Sequence, residues 1–121
     1  MKSNIESIVA NDTILNIKGA KNPSRVAILL HGFTGDESSM WVFTSKLSSD
    51  WLLIAPRAPF ICQGTDLGGY SWIDQPITTW PVYQDFLPVV NELADTIKEL
   101  GEGYFPEIDK IHLAGFSQGA A

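Results

Sequence analysis

Cysteine, histidine, basic charge and long apolar stretches are all scarce in this chain of 121 residues. The single cysteine, Cys62, excludes a disulfide within the chain and is compatible with a reducing compartment. No apolar stretch approaches the roughly 20 residues that span a bilayer, and residues 1–6 lack the apolar core of a signal peptide. We therefore expect a cytoplasmic protein without a membrane span.

Acidic residues outnumber basic ones by 14 to 8, which gives a net charge of −6 at neutral pH. This balance argues against nucleic acid as a partner, because phosphate backbones attract positive surfaces. The two histidines, His31 and His112, and the cysteine show no spacing typical of a metal site. We therefore expect neither a metal nor a cofactor, and at this length at most one domain.

Short β-prone runs dominate the pattern of the chain. Residues 5–9 and 13–18 flank a turn-forming group and predict an antiparallel hairpin. The unbroken apolar runs 26–30 and 51–55 predict strands that are covered on both faces, as in a parallel sheet. Residues 110–114 predict a further strand, and if it neighbours strand 26–30, the carboxyl ends of the two strands form a ligand-binding crevice. This order predicts an α/β fold.

Apolar side chains at helical spacing indicate two helices. The first set, expected to face the sheet, is Met40, Phe43 and Leu47. A longer stripe from Val82 to Leu100 predicts the second helix, and Gly101 is expected to end it. Pro88 leaves two alternatives: the helix begins near Asp85 with Pro88 in its first turn, or it is longer and kinked.

Residues 57–80 show no helical or strand period but are rich in large apolar side chains. These side chains include Phe60, Leu67, Tyr70, Trp72, Ile73 and Trp80. Such a composition is unusual for a solvated linker, so we expect the segment to form part of a pocket wall. The alternative is that these side chains only cover one end of the sheet.

The sequence Gly115-Phe116-Ser117-Gln118-Gly119 has the pattern G-x-S-x-G and directly follows a predicted strand. In this pattern a strand turns at once into a helix, with the serine exposed at the apex in a strained conformation. Gly115 and Gly119 leave room for the turn, and the first N–H groups of the helix face any negative charge that develops beside the serine. The pattern therefore predicts a catalytic nucleophile, Ser117.

Four segments together resemble successive signatures of the phospholipase/carboxylesterase family of α/β-hydrolases, which includes acyl-protein thioesterases. They are Leu30-His31-Gly32-Phe33-Thr34-Gly35, Ile54-Ala55-Pro56-Arg57-Ala58-Pro59, Gly68-Gly69-Tyr70-Ser71-Trp72-Ile73-Asp74 and Gly115-Phe116-Ser117-Gln118-Gly119-Ala120. The resemblance implies an α/β-hydrolase fold that is truncated after the nucleophile elbow. It also implies that residues 1–121 are the N-terminal part of a single domain.

The resemblance assigns a role to five positions. Ser117 matches the nucleophile that attacks the carbonyl of an ester or thioester. The backbone N–H groups of Phe33 and Gln118 match the two donors of the oxyanion hole. Tyr70 and Trp72 match a segment that borders the acyl groove, which implies a small apolar acyl or aryl ester or thioester as substrate.

The acid and the histidine of the triad follow the serine in this fold, so the resemblance places both beyond Ala121 and implies that residues 1–121 are inactive alone. His112 lies about 16 Å from Ser117 along a strand, too far for direct contact. His31 matches a family position that orients the oxyanion loop.

A non-catalytic remnant that binds a hydrophobic ligand or a partner chain is the alternative function. Strand 110–114 would then expose an unpaired edge, which favours self-association or pairing with a missing C-terminal half.

Overall fold

The computed structural model describes residues 5–19, 23–47, 50–75, 81–108 and 110–120. Its first two strands, β1 (Ile5–Ala10) and β2 (Thr13–Gly19), form the predicted antiparallel hairpin. Asn11 and Asp12 connect them with positive φ angles of 50° and 59°, the backbone that a two-residue hairpin turn requires. Asparagine and aspartate tolerate this conformation better than other residues with side chains, which explains their place in the turn.

The two apolar runs form the central strands β3 (Arg25–Leu30) and β4 (Trp51–Pro56), which pair in parallel. β2 pairs with the other side of β4 in the antiparallel direction. In both central strands consecutive residues are buried, as the unbroken apolar pattern predicted.

The segment that lacks a period contains a small hairpin that the sequence did not indicate. Its strands, β5 (Phe60–Ile61) and β6 (Tyr70–Ser71), are two residues each and pair in the antiparallel direction. Most of its predicted pocket-wall residues are covered, but Leu67 is 78% exposed. Trp80 lies outside the described residues.

The sequence predicted a first helix with three side chains facing the sheet, and two parts of this prediction are wrong. The helix is of the 3-10 type, and two of the three side chains are exposed. Ser39–Phe43 forms a 3-10 helix that buries Met40, while Phe43 is 58% and Leu47 40% exposed. The Phe43 ring stacks on Phe116 rather than on the sheet, with 5.7 Å between the ring centroids. Leu47 lies beyond the helix in a turn, where its N–H donates to the carbonyl of Thr44.

The long helix α1 spans Tyr83–Tyr104 and contains Pro88 in its interior, so the alternative that placed Pro88 in the first turn is wrong and the helix is the longer one. The Asp85 carboxylate accepts the Val82 N–H at 2.7 Å, and this bond lowers the pKa of Asp85. The prediction that Gly101 ends the helix is wrong. The Phe105 ring packs over Gly101, 3.2 Å from where a β-carbon would lie, and the helix continues for three residues past this contact.

The last strand, β7 (His112–Gly115), begins two residues later than predicted and pairs in parallel with β3. Among the described residues the sheet therefore has the order β1-β2-β4-β3-β7, with β7 at its edge. One face of the sheet packs against Leu100 of α1, and the other against Met40. No helix in the described part of the chain has the length and apolarity that crossing a bilayer requires.

Candidate active site

The loop after β3 and the turn after β7 lie side by side, because the two strands are parallel neighbours that end together at Leu30 and Gly115. The N–H of Phe116 donates to the carbonyl of Leu30 at 3.0 Å. A β-carbon built on Gly32 would lie 3.4 Å from the β-carbon of Ser117. The predicted nucleophile and the predicted oxyanion loop therefore adjoin, in the crevice that neighbouring strands were expected to form.

Ser117 adopts the strained conformation that its motif predicted. Its φ is 55°, in the left-handed region, and it stands exposed between β7 and a 3-10 helix, Ser117–Ala120. A β-carbon on Gly119 would lie 2.2 Å from the carbonyl oxygen of Leu30, and one on Gly115 would lie 2.4 Å from that of Gly119. The prediction that these two glycines leave room for the turn is confirmed.

The side chain of His31 is buried and bonded at both ring nitrogens. Nε2 accepts the N–H of Ala58 at 3.0 Å, so the proton of the neutral ring is on Nδ1, which donates to the carbonyl of Gly32 at 2.7 Å. Burial lowers the pKa of His31 below its ordinary 6.5 and keeps the ring neutral at physiological pH. With both nitrogens engaged, His31 orients the loop and has no free nitrogen for Ser117.

His112 begins β7 and is exposed, whereas Ser117 follows the end of the same strand. Its ring packs edge-on against Trp51, with 5.1 Å between the centroids. Neither histidine can therefore take the proton of the Ser117 hydroxyl in this arrangement.

The loop that contains Phe33 is held by the small hairpin. The Thr34 N–H donates to the carbonyl of Tyr70 at 3.2 Å and to the Cys62 thiol at 3.2 Å, and the Tyr70 N–H donates to the carbonyl of Gly35 at 2.9 Å. Within the described ranges, no acceptor bonds to the N–H of Phe33. The loop thus leaves the N–H of Phe33, one of the two amides predicted to bind an oxyanion, as a free donor.

Cys62 has a structural role that its sequence context did not show. Its thiol is buried beside the loop, and burial raises its pKa, so it remains a neutral acceptor for the Thr34 N–H. An uncharged thiol here fits a positioning contact rather than a reactive group.

The side chain of Gln118 connects the Ser117 turn to β6. Its Oε1 accepts the backbone N–H of Trp72 at 2.9 Å, and its Nε2 donates to the hydroxyl of Ser71 at 3.1 Å. These partners are 46 and 47 positions away in the chain, so no local sequence signal reveals them.

Trp72 and Tyr70 line a cavity of about 510 Å³ between the hairpin turn at Asn11 and Asp12, the start of β5 and α1. Phe60 also lines this cavity, as expected of a pocket wall, whereas Ser117, Phe33 and Gln118 do not. Trp72 is 5% exposed, and its indole N–H donates to the carbonyl of His31 at 2.7 Å. The structure therefore brings the two predicted substrate-binding residues together in one cavity wall. Trp72 also holds the loop after β3, through its hydrogen bond to His31.

A charged pair fixes the other side of Tyr70. Arg57 donates two hydrogen bonds to Glu37, at 2.8 and 2.7 Å, and these bonds lower the pKa of Glu37. The same guanidinium lies over the Tyr70 ring, 4.5 Å from its centroid. The pair connects the loop before the 3-10 helix with the residues that follow β4.

No protein-family profile and no curated protein matches this chain. Among solved structures, it is similar to a carboxylesterase from Mesorhizobium loti, with 21% identity and a TM-score of 0.75 over 99% of this chain and 55% of that one. It is also similar to esterase PE8, with 21% identity and a TM-score of 0.68 over 99% and 54% of the two chains. TT1662 from Thermus thermophilus matches with 19% identity and a TM-score of 0.66 over 99% and 49%.

The chain thus spans about half the length of each of these structures. At such identities a structural likeness shows the fold alone. Over this length, the chain has the α/β-hydrolase fold.

Proposed function

We propose that Ser117 is the nucleophile of a serine hydrolase that cleaves carboxylic esters or thioesters through an acyl-serine intermediate. One observation carries the proposal: Ser117 stands at the apex of a strand-to-helix turn with φ at 55°, next to Gly32 in the loop after β3. The esterases among the similar structures support the same class of reaction.

In the proposed reaction the Ser117 hydroxyl loses its proton to a base as its oxygen attacks the carbonyl carbon. The carbonyl oxygen then carries a negative charge, which the backbone N–H groups of Phe33 and Gln118 stabilise. Collapse of this intermediate expels the alcohol or thiol and leaves the acyl group on Ser117, from which water releases it. Loss of one such donor costs on the order of 3 kcal/mol of transition-state stabilisation.

The base and its carboxylate partner are proposed to lie outside residues 1–121, in the rest of a single domain of which these residues are the N-terminal part. His31 has both ring nitrogens engaged, and His112 lies at the opposite end of β7. Without a base, serine hydrolases lose about 10⁶-fold in rate. Residues 1–121 alone are therefore proposed to be inactive.

The proposed substrate carries a small apolar acyl or aryl group. The cavity beside Tyr70 and Trp72 supports this choice, because it is lined by aromatic rings and by Val89 and Leu93 of α1. Trp72 joins this wall to the Ser117 turn through its N–H bond to Gln118.

Labelling with a fluorophosphonate probe tests the proposal. Two proteins are compared: the product of the natural reading frame, read to its stop codon, and residues 1–121. Each is tested as the wild type, as Ser117→Ala and as Ser45→Ala. Ser45 is an exposed serine in a turn and serves as the matched control. We expect labelling and p-nitrophenyl butyrate hydrolysis in the longer product, lost only in Ser117→Ala, and no Ser117-dependent labelling of residues 1–121. Activity that survives Ser117→Ala refutes the nucleophile, and strong labelling of residues 1–121 refutes the external base.

The edge of the sheet favours a second candidate, a non-catalytic protein that pairs with another polypeptide along β7. All four residues of β7 are exposed, including Leu113 at 63%, and Phe116 beside them is 55% exposed. Within the described residues no strand pairs with the outer side of β7, and an apolar edge of this kind is a template for another strand.

Sedimentation velocity of residues 1–121 tests this candidate. Self-association that Leu113→Lys abolishes supports it, because a lysine at a strand edge opposes pairing. Val42→Lys, at a position that is 74% exposed on the 3-10 helix, is the matched control. A stable monomer over the accessible concentration range contradicts it.

A further inference from the structure

The amide of Gln118 is held by two partners whose hydrogen-bonding roles are fixed. The Trp72 N–H can only donate, so it requires the carbonyl end of the amide, at 2.9 Å. The Ser71 hydroxyl is fully buried and gives its proton to the carbonyl of Ile73 at 2.8 Å, so it accepts from Nε2 at 3.1 Å. An amide satisfies both partners at once, whereas a carboxylate lacks the donor and a hydrocarbon lacks both groups.

The segment that receives Gln118 also holds the loop after β3. Tyr70 exchanges two backbone hydrogen bonds with Thr34 and Gly35, at 3.2 and 2.9 Å. The indole of Trp72 donates to the carbonyl of His31 at 2.7 Å. Residues 70–72 are therefore bonded on one side to the loop that presents the Phe33 N–H and on the other side to the Gln118 side chain.

We propose that the side chain of Gln118 is a positioning residue that fixes the Ser117 turn relative to the Phe33 loop through residues 70–72. On the proposed function, on which this inference rests, the two oxyanion donors are the N–H groups of Phe33 and Gln118. Their separation must match one oxygen atom, and a misplacement of about 1 Å costs on the order of 100-fold in rate. Gln118 thus contributes its backbone to the oxyanion and its side chain to the geometry of the pair.

Amide hydrogen exchange of residues 1–121, measured by NMR, tests the connection without any need for activity. In Gln118→Leu, we expect the protection factor of the Trp72 amide to fall by about tenfold or more, since its acceptor is gone. The Thr34 amide should also lose protection, because the connection through residues 70–72 is relaxed. Protection of the Ile28 amide in β3 should stay unchanged, which shows that the sheet remains folded.

Gln63→Leu is the matched control, because Gln63 is an exposed glutamine whose amide donates to Asp74 at 2.7 Å and not to residues 70–72. It should leave the Trp72 and Thr34 amides as they are in the wild type. If Gln118→Leu releases Trp72 but leaves Thr34 fully protected, the connection ends at Trp72 and the positioning role is refuted.

Gln118→Glu supplies a reversible version of the same test. Its carboxylate cannot donate to the Ser71 hydroxyl, but the protonated acid can, so the protection of Thr34 should be low at pH 7 and recover near pH 4. Wild-type protection factors serve as the reference at each pH. Protection that stays at the wild-type value at both pH values overturns the inference.

In the Ser117-dependent esterase, Gln118→Leu should lower kcat by about 10- to 100-fold and leave KM within about threefold. A rise in KM with unchanged kcat contradicts positioning for the transition state. If hydrolysis does not depend on Ser117, the proposed function fails, and the exchange measurements still decide whether Gln118 holds the loop.

Discussion

Gly119 should be among the least replaceable residues of this chain, because the Ser117 turn packs directly on the end of β3 there. A β-carbon on Gly119 would lie 2.2 Å from the carbonyl oxygen of Leu30 and 2.6 Å from that of His31. Both atoms are backbone, so no side chain can rotate away. Gly119→Ala must push the turn and the strand apart by about 1 Å to reach ordinary contact distance.

The cost of this displacement has two parts. Overpacking against an ordered backbone costs about 1–3 kcal/mol. The bond from the Phe116 N–H to the Leu30 carbonyl, now 3.0 Å long, crosses the same gap, and its loss adds about 1 kcal/mol. The lower entropy of the unfolded alanine chain offsets about 0.5 kcal/mol. We therefore expect Gly119→Ala to lower the free energy of unfolding by about 1.5–3.5 kcal/mol.

Urea unfolding followed by tryptophan fluorescence measures this difference. Gly103→Ala is the matched control, since a β-carbon there meets no atom within 4 Å and the residue lies in α1. It should raise stability by about 0.5 kcal/mol through helix propensity. The steric argument is refuted if Gly119→Ala unfolds within 0.5 kcal/mol of the wild type.

Three further predictions concern the residues around the loop. Trp72→Phe leaves the His31 carbonyl without the indole donor and should lower the free energy of unfolding by about 1–3 kcal/mol in urea titrations. Burial lowers the pKa of His31, so the unfolded chain binds this proton more tightly than the folded protein does. The free energy of unfolding should therefore be highest above pH 6.5 and fall as the pH drops below that value toward the folded-state pKa. This fall should occur in the wild type and in His112→Asn but not in His31→Asn. Glu37→Gln should cost about 1 kcal/mol at pH 7 and, because the pKa of Glu37 is lowered from 4.5, progressively less as the pH falls below that value; an equal cost at pH 3 contradicts the ion-pair origin.

The strands of the main sheet were predictable because each carries its own local signal. The apolar runs at 26–30 and 51–55 have no polar face, and the hairpin turn contains Asn11 and Asp12, which favour positive φ. The spacing around Ser117 likewise indicated a tight turn, since only glycine fits where Gly119 meets the Leu30 carbonyl. Local sterics and apolar pattern therefore determined most of the sheet.

The errors arose where a side-chain contact that the apolar pattern does not show overrides that pattern. Gly101 was expected to end α1, but the ring of Phe105 covers it and the helix continues. Phe43 was expected on the sheet, but the ring of Phe116, from the far end of the chain, is its partner. The β5–β6 hairpin has no sequence signal of its own, because its strands are only two residues long and are stabilised by the loop of residues 31–35.

The order of strands in the sheet has a consequence for how the chain assembles. β1 to β4 all come from residues 5–56, so their pairings close short loops. The pairing of β3 with β7 closes a much longer loop, because it joins Ala27 to His112. Closing a longer loop costs more chain entropy, which favours late formation of the β3–β7 ladder. During synthesis the N-terminal sheet leaves the ribosome first. We therefore expect Ser117 to reach its strained turn only after β1 to β4 have paired.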